Sequence, residues 1–199
     1  MFAINARNIQ EVRRRTGAGM LQCKTTLERT QGDVTKAVDQ LRMSGAANAE
    51  TRTSRPTGEG LITSYAHHNG KIGVLVEVNC ETDFVARTDD FRTLARYLAE
   101  QIAAAAPIAV DRDQMAADVV ERKREAFEQQ VRLLGKPEHL AEKIVDGKME
   151  AYFRSVVLMD QEWVREPKLT IRDLVRDVSA RTGEAIRVRR FARFHMGIA

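Results

Sequence analysis

The dipeptide Asn69-Gly70 constrains the fold of this chain more than any other feature. It separates two strand-like runs, Gly60-Leu61-Ile62-Thr63-Ser64-Tyr65-Ala66-His67 and Lys71-Ile72-Gly73-Val74-Leu75-Val76-Glu77-Val78. Asn-Gly is a strong short-range hairpin signal because both residues accept the positive φ of a type I′ turn. The spacing predicts an antiparallel hairpin with such a turn, its second strand ending near Asn79.

What surrounds the hairpin reads as helix. Downstream, Thr88 or Asp89 starts a helix through Phe91, Leu94, Ala95, Leu98 and Ile102, fading into Ala103–Ala106 before Pro107. A charged helix follows over about Asp113–Leu134, with Met115, Val119, Val120, Phe127, Val131 and Leu134 as its apolar stripe. Gly135-Lys136-Pro137 breaks it, and Pro137 suits the first turn of a helix carrying Leu140, Ile144, Val145, Met149, Phe153 and Val157. Thr170 caps a helix with Leu174, Val175 and Val178, stopped by Gly183, and a strand-like Ala185–Phe194 closes the chain.

Upstream, residues 4–45 read as three short helices. Asn5 caps the first, which holds Ile9 and Val12 and ends in Arg13, Arg14 and Arg15, where cations complement the helix dipole. Thr16-Gly17-Ala18-Gly19 breaks it. The second runs over about Met20–Thr30 with Met20, Cys23 and Leu27 on one face, and Gln31-Gly32 stops it. Asp33 caps the third, with Val34, Ala37, Val38 and Leu41 on one face and Gly45 at its C′ position. Residues 46–58 end in Pro56 and Gly58 and read as linker, although Ala46–Arg52 is compatible with helix. The predicted fold class is α+β. A three-helix docking module occupies 1–45, a linker 46–58, and 59–199 an α+β core with a small antiparallel sheet of about three strands packed with helices.

Charge and chemistry narrow the function. No run approaches the roughly 18 apolar residues that cross a bilayer. Met1–Asn8 has no apolar leader stretch, and the two cysteines, Cys23 and Cys80, form no CxxC pair, so a cytoplasmic, reducing location is expected. Residues 1–58 hold ten Lys/Arg against five Asp/Glu, a local charge of +5, and the remainder carries −1. A basic module approaches either nucleic acid or an acidic protein surface. Aromatics do not interleave with the basic elements, so direct nucleic-acid binding is not expected. Arg187, Arg189, Arg190 and Arg193 are candidates to touch phosphates, but arginine on a final edge strand equally resists unwanted strand pairing. Gly17-Ala18-Gly19 follows no strand and matches no phosphate-loop motif. His67 and His68 are adjacent, and neighbouring strand residues face opposite sides, so no metal is expected there. Cys80 has no base beside it and reads as a buried small apolar residue. No catalytic residue and no cofactor are assigned.

Asn79-Cys80-Glu81-Thr82-Asp83-Phe84-Val85-Ala86 places a large aromatic in the short connection between the hairpin and the next helix. Such connections often carry function. A phenylalanine there either plugs its own core or projects into a partner, and spacing leaves both open.

Three long stretches decide how the chain reads as a whole. They are Val12–Met20 with Cys23-Lys24; Val76–Ala86; and Gly135-Lys136-Pro137 with Ile144–Met149 and Asp160-Gln161. In this order they resemble the elongation factor Ts family, guanine-nucleotide exchange factors for elongation factor Tu, and specifically its short bacterial branch. The resemblance implies an amino-terminal module similar to ubiquitin-associated domains, docking on the partner's nucleotide-binding domain through Arg13, Gly17, Ala18, Gly19, Met20 and Lys24. It implies that Thr82, Asp83, Phe84 and Val85 enter the partner near its magnesium and switch region, displacing magnesium and loosening GDP without touching it. Both GDP-bound and nucleotide-free elongation factor Tu are expected partners, with His67 and His68 as candidate further contacts. Short members lack a coiled-coil insertion and are associated with a homodimer, which is expected here. Cys80 and Val85 are expected to anchor the tip. The rival readings are a basic RNA- or ribosome-binding module without exchange activity, and an adaptor whose body is only structural.

Overall fold

The computed structural model describes residues 5–52, 54–134 and 137–197, with the side chains at 42, 46–51, 138 and 139 outside that description. The order is α1 (Ala6–Thr16), α2 (Met20–Arg29), α3 (Val34–Thr51), β1 (Glu59–Ala66), β2 (Ile72–Cys80), α4 (Asp83–Ala86), α5 (Asp89–Ala105), α6 (Ala117–Leu133), α7 (Glu138–Val156), β3 (Glu162–Trp163), β4 (Glu166–Thr170), α8 (Ile171–Thr182) and β5 (Arg187–His195). The fold is α+β. One sheet has the order β1-β2-β5, so the arginine-bearing last strand is an edge, as its sequence predicts; β3 and β4 pair separately and antiparallel. By contact the chain forms two compact units, Met1–Ile62 with Glu77–Ala95 and Asp173–Val188, and Thr63–Val76 with Arg96–Arg172 and Arg189–Ala199.

In the first unit the three amino-terminal helices follow their caps. The Asn5 side chain accepts a hydrogen bond from the Asn8 amide at 2.7 Å, Arg13, Arg14 and Arg15 fill the last turn of α1, and Gly17 ends it at φ 69°. Asp33 accepts from the Lys36 amide at 3.0 Å and opens α3; that bond first of all holds its carboxyl below the usual value. Val12, Cys23, Leu27, Ala37, Val38 and Leu41 form the module's core, with Ile9, Ala18 and Val34 against it. Two expectations fail. Met20 is half exposed rather than on the buried stripe, because it occupies the first position of α2, beyond the reach of that core. Gly45 does not end α3, which continues to Thr51. A Cβ at residue 45 would lie 3.1 Å from the Ala180 Cβ on α8, so glycine here permits a close helix approach instead of stopping a helix.

The hairpin forms, with a different turn. The His67 amide donates to the Ile72 carbonyl and the Gly70 amide to the His67 carbonyl, at 2.9 and 2.8 Å. Gly70 has φ 69°, whereas Asn69 is not among the positive-φ residues, so the turn is not type I′. Asn69 instead accepts the Lys71 amide on its side-chain oxygen at 3.0 Å, a local bond that the five-residue loop 67–71 allows. Leaving the strand at Ala66 also puts His67 and His68 on the same side: their ring centroids are 4.2 Å apart, against the opposite faces that strand geometry predicts.

In the second unit α6 and α7 lie side by side over Val131, Val145 and Met149, flanked by Val120, Phe127, Ile144, Tyr152 and Phe153. The first helix of this pair is the charged one that the apolar stripe predicts. It begins later than the pattern predicts: Arg112–Gln114 is a 3-10 turn, Met115 precedes α6, and Leu134 at its end is exposed. The breaker Gly135-Lys136 lies outside the described residues; Pro137 is the N-cap of α7, one place ahead of its expected position. The β3–β4 pair is absent from the sequence reading. Buried Gln101 donates to the Glu162 carbonyl at 3.1 Å and accepts from the Val164 amide at 2.9 Å, so a distant side chain fixes strands too short to show a period. No helix among the described residues is long and apolar enough to cross a membrane.

Candidate partner-binding site

The tip after β2 is a single helical turn, α4, opened by Thr82 in extended conformation. Thr82 Oγ1 accepts from the Val85 amide at 3.4 Å. Cys80 and Val85 are buried, and the Cys80 thiol donates to the Thr82 carbonyl at 3.1 Å. With Val85 and Ala86 facing inward, the geometry of one turn sends Phe84 the other way. Phe84 is 76% exposed. The plug reading of this residue is thereby removed in the free chain. Asp83 pairs with Arg87 at 2.6 Å, both side chains open to solvent. An exposed i,i+4 pair is worth only about 0.3–0.5 kcal/mol, so a partner can take Asp83 at small cost.

Glu184, from the turn after α8, grips this tip. Its carboxylate accepts the Glu81 and Thr82 amides at 3.1 and 3.0 Å and the Thr82 hydroxyl at 2.6 Å. Glu81 answers by accepting the Ala185 amide at 2.6 Å and pairing with Arg55 at 3.4 Å. Thr88 then accepts the Phe91 amide at 3.3 Å and leads into α5, where Phe91 is fully buried. Sequence reasoning missed Glu184. Its only local signal is a glutamate after a helix-stopping glycine, and the residues it holds lie 103 and 102 positions away.

The residues expected at a docking surface divide by environment. Arg13, Gly19, Met20 and Lys24 are exposed, and Ala18 packs partly on the module's core. Leu21, beside Met20, is 77% exposed as well, although it falls off the apolar stripe that drew attention to Met20. Gly17 has an internal reason to be glycine: at φ 69° a Cβ would sit 2.9 Å from Arg181 Cβ and Cγ. Arg181 in turn pairs with Asp90 at 3.2 Å, at the start of α5. Helices α1–α3 and the tip therefore belong to one compact unit. His67 and His68 belong to the other, where the Tyr65 hydroxyl lies 3.0 Å from His67 Nδ1. Among the described residues no cluster of His, Cys, Asp or Glu is arranged to hold a metal. The Cys80 thiol is pushed up to about 11, by burial first and the nearby Glu184 charge second, which leaves it a poor nucleophile. Arg193 spends its guanidinium on the Ala103 carbonyl at 3.3 and 3.2 Å instead of offering it to phosphate.

The model of the family described as Elongation factor TS matches residues 9–198. The chain belongs to the elongation factor Ts family. Elongation factor Ts of Desulfosudis oleivorans is 48% identical over 197 residues, covering 99% of this chain and 100% of the relative. That of Oleidesulfovibrio alaskensis is 49% identical over 197 residues with the same coverage. That of Thermotoga petrophila is 49% identical over 189 residues, 95% of this chain and 94% of the relative. By family, the chain is a translation elongation factor.

Proposed function

We propose that this chain binds elongation factor Tu, GDP-bound and nucleotide-free, and accelerates GDP release so that GTP can rebind. Helices α1–α3, a module resembling ubiquitin-associated domains, dock on the nucleotide-binding domain with Arg13, Met20, Leu21 and Lys24 at the contact. Thr82 and Val85 hold the turn that inserts Asp83 and Phe84 beside the magnesium and switch region. GDP is held through its phosphates and a bridging Mg²⁺, so displacing the elements around them loosens the nucleotide without touching it. Burying a phenylalanine is worth about 1.5–3 kcal/mol, and each ~1.4 kcal/mol of coupling loosens GDP about tenfold. Coupling is reciprocal, so returning GTP weakens the factor's hold and releases it. No covalent bond is made or broken.

The observation that supports this reading best is the exposure of Phe84 on a turn whose other residues are buried or tied down. The test is release of labelled GDP from elongation factor Tu with and without the protein; no acceleration defeats the exchange reading. A cytoplasmic homodimer completes the proposal. Exposed Leu75, Phe194 and Met196 supply apolar surface for a second copy. Sedimentation across a range of concentrations should give twice the 22.4 kDa chain mass, and a monomer throughout would reject the dimer.

A further inference from the structure

We propose that Glu184 is the positioning residue of the exchange tip: it pre-orders Thr82 and α4 so that Phe84 is presented in one orientation before any partner arrives. The inference rests on the exchange reading for its role in function, and on the geometry alone for its role in the free protein.

Glu184 contacts neither Asp83 nor Phe84. It acts through the residues that launch them. One carboxylate oxygen, Oε2, takes both the Glu81 and Thr82 amides, and the other, Oε1, takes the Thr82 hydroxyl. Those amides precede α4, where an unfixed chain would be free to turn. A charged acceptor makes each bond stronger than a neutral one. Orienting the Thr82 hydroxyl toward Glu184 also leaves an Oγ1 lone pair for the Val85 amide, which is the N-cap bond of α4. The clasp is reciprocal, since Glu81 binds the Ala185 amide next to Glu184. Two segments far apart in sequence therefore lock each other at the base of the tip. A four-residue helix cannot hold itself, because one turn fixes several dihedrals for a single hydrogen bond. An exposed phenylalanine on an unheld turn would collapse onto its own chain or lose its direction, and the partner would have to supply the ordering entropy.

The test compares Glu184→Ala, Glu184→Gln, Phe84→Ala and the Glu184→Ala/Phe84→Ala double variant. In the free protein, amide exchange at Glu81 and Thr82 should become at least about tenfold faster in Glu184→Ala and remain close to wild type in Glu184→Gln, whose side-chain oxygen still accepts. Unchanged protection in Glu184→Ala overturns the proposal whatever the partner does. With elongation factor Tu, Glu184→Ala should lower the maximal GDP-release rate about tenfold, leave the half-saturating concentration within about twofold, and be largely rescued by Glu184→Gln. In the Phe84→Ala background it should cost nothing further, because it acts through Phe84. An equal loss in both backgrounds means a general structural role and sinks the positioning role. If wild-type protein fails to accelerate release, the exchange reading falls, and the amide-exchange result still decides whether Glu184 orders the tip. Should Glu184→Ala fail to fold, Thr82→Val, which removes the hydroxyl bonds and spares the two amides, gives the same comparison at smaller amplitude.

Discussion

Phe84 and Cys80 stand four residues apart and have opposite fates, and the difference comes from which side of one turn each occupies. Cys80 ends β2 on its buried side, where burial and the Glu184 carboxylate keep its thiol protonated at about 11. Cys23 is likewise buried in the helical module, and its thiol is pushed up by burial. Native protein at pH about 8 should therefore resist iodoacetamide at both positions and react with both only after unfolding. Rapid labelling of native Cys80, read by mass spectrometry, would mean that the tip opens far more often than its hydrogen bonds imply. Phe84 stays mostly exposed and gains little from its own chain. Burying that apolar surface against a second molecule would release binding free energy.

Gly45 shows where helix rules stop being local. Glycine is the usual C′ residue, so a helix end there is the expected reading. Whether it ends the helix or merely thins it depends on Ala180, 135 positions later, which no window around residue 45 contains. Replacing Gly45 with leucine should cost about 1–3 kcal/mol by overpacking against Ala180, measurable by urea unfolding, while alanine should come close to neutral as helix propensity offsets the tight contact. A stable Gly45→Leu protein would show that α3 and α8 separate easily. The same distinction sorts the rest of the fold. Asn5, Asp33, Gly17 and the hairpin were legible because caps and turns are written within a few residues. The turn type was not, because Asn69 prefers its own side-chain bond to a positive φ. The helix pair α6–α7 was visible as two stripes but not as a pair, and β3–β4 depends on Gln101 some 61 residues away. At the site, Asp83-Phe84 stood out because an aromatic interrupts a polar turn, whereas Glu184 has no signal until the chain is folded.

For the molecule as a whole, acid and the proposed exchange activity probe different units. In the second unit Asp160 accepts from Arg112 and Arg172, Arg172 also binds Asp111 at 2.7 Å, and Arg112 grips Glu150 at 2.7 and 2.8 Å. Burial raises the Asp160 carboxyl, and the two arginines more than reverse that, leaving it below its ordinary value. A lowered folded pKa means stability present above the unfolded value, about 3.9, and lost as pH falls through the folded one. Unfolding followed from pH ~6 to ~2 should show this acid loss, and Asp160→Asn should flatten it at a cost of about 1–3 kcal/mol near neutrality. An unchanged acid limb in Asp160→Asn would assign the loss elsewhere. The proposed exchange activity draws on the first unit, which carries both α1–α3 and the tip. Its most direct test is stopped-flow release of a fluorescent GDP analogue from elongation factor Tu, with Phe84→Ala compared with wild type at saturating concentration. Wild type should accelerate release, and Phe84→Ala should lose at least about tenfold of the rate with no change in unfolding midpoint, since the side chain is exposed. A Phe84→Ala protein as active as wild type would contradict the insertion of Phe84 as the source of exchange.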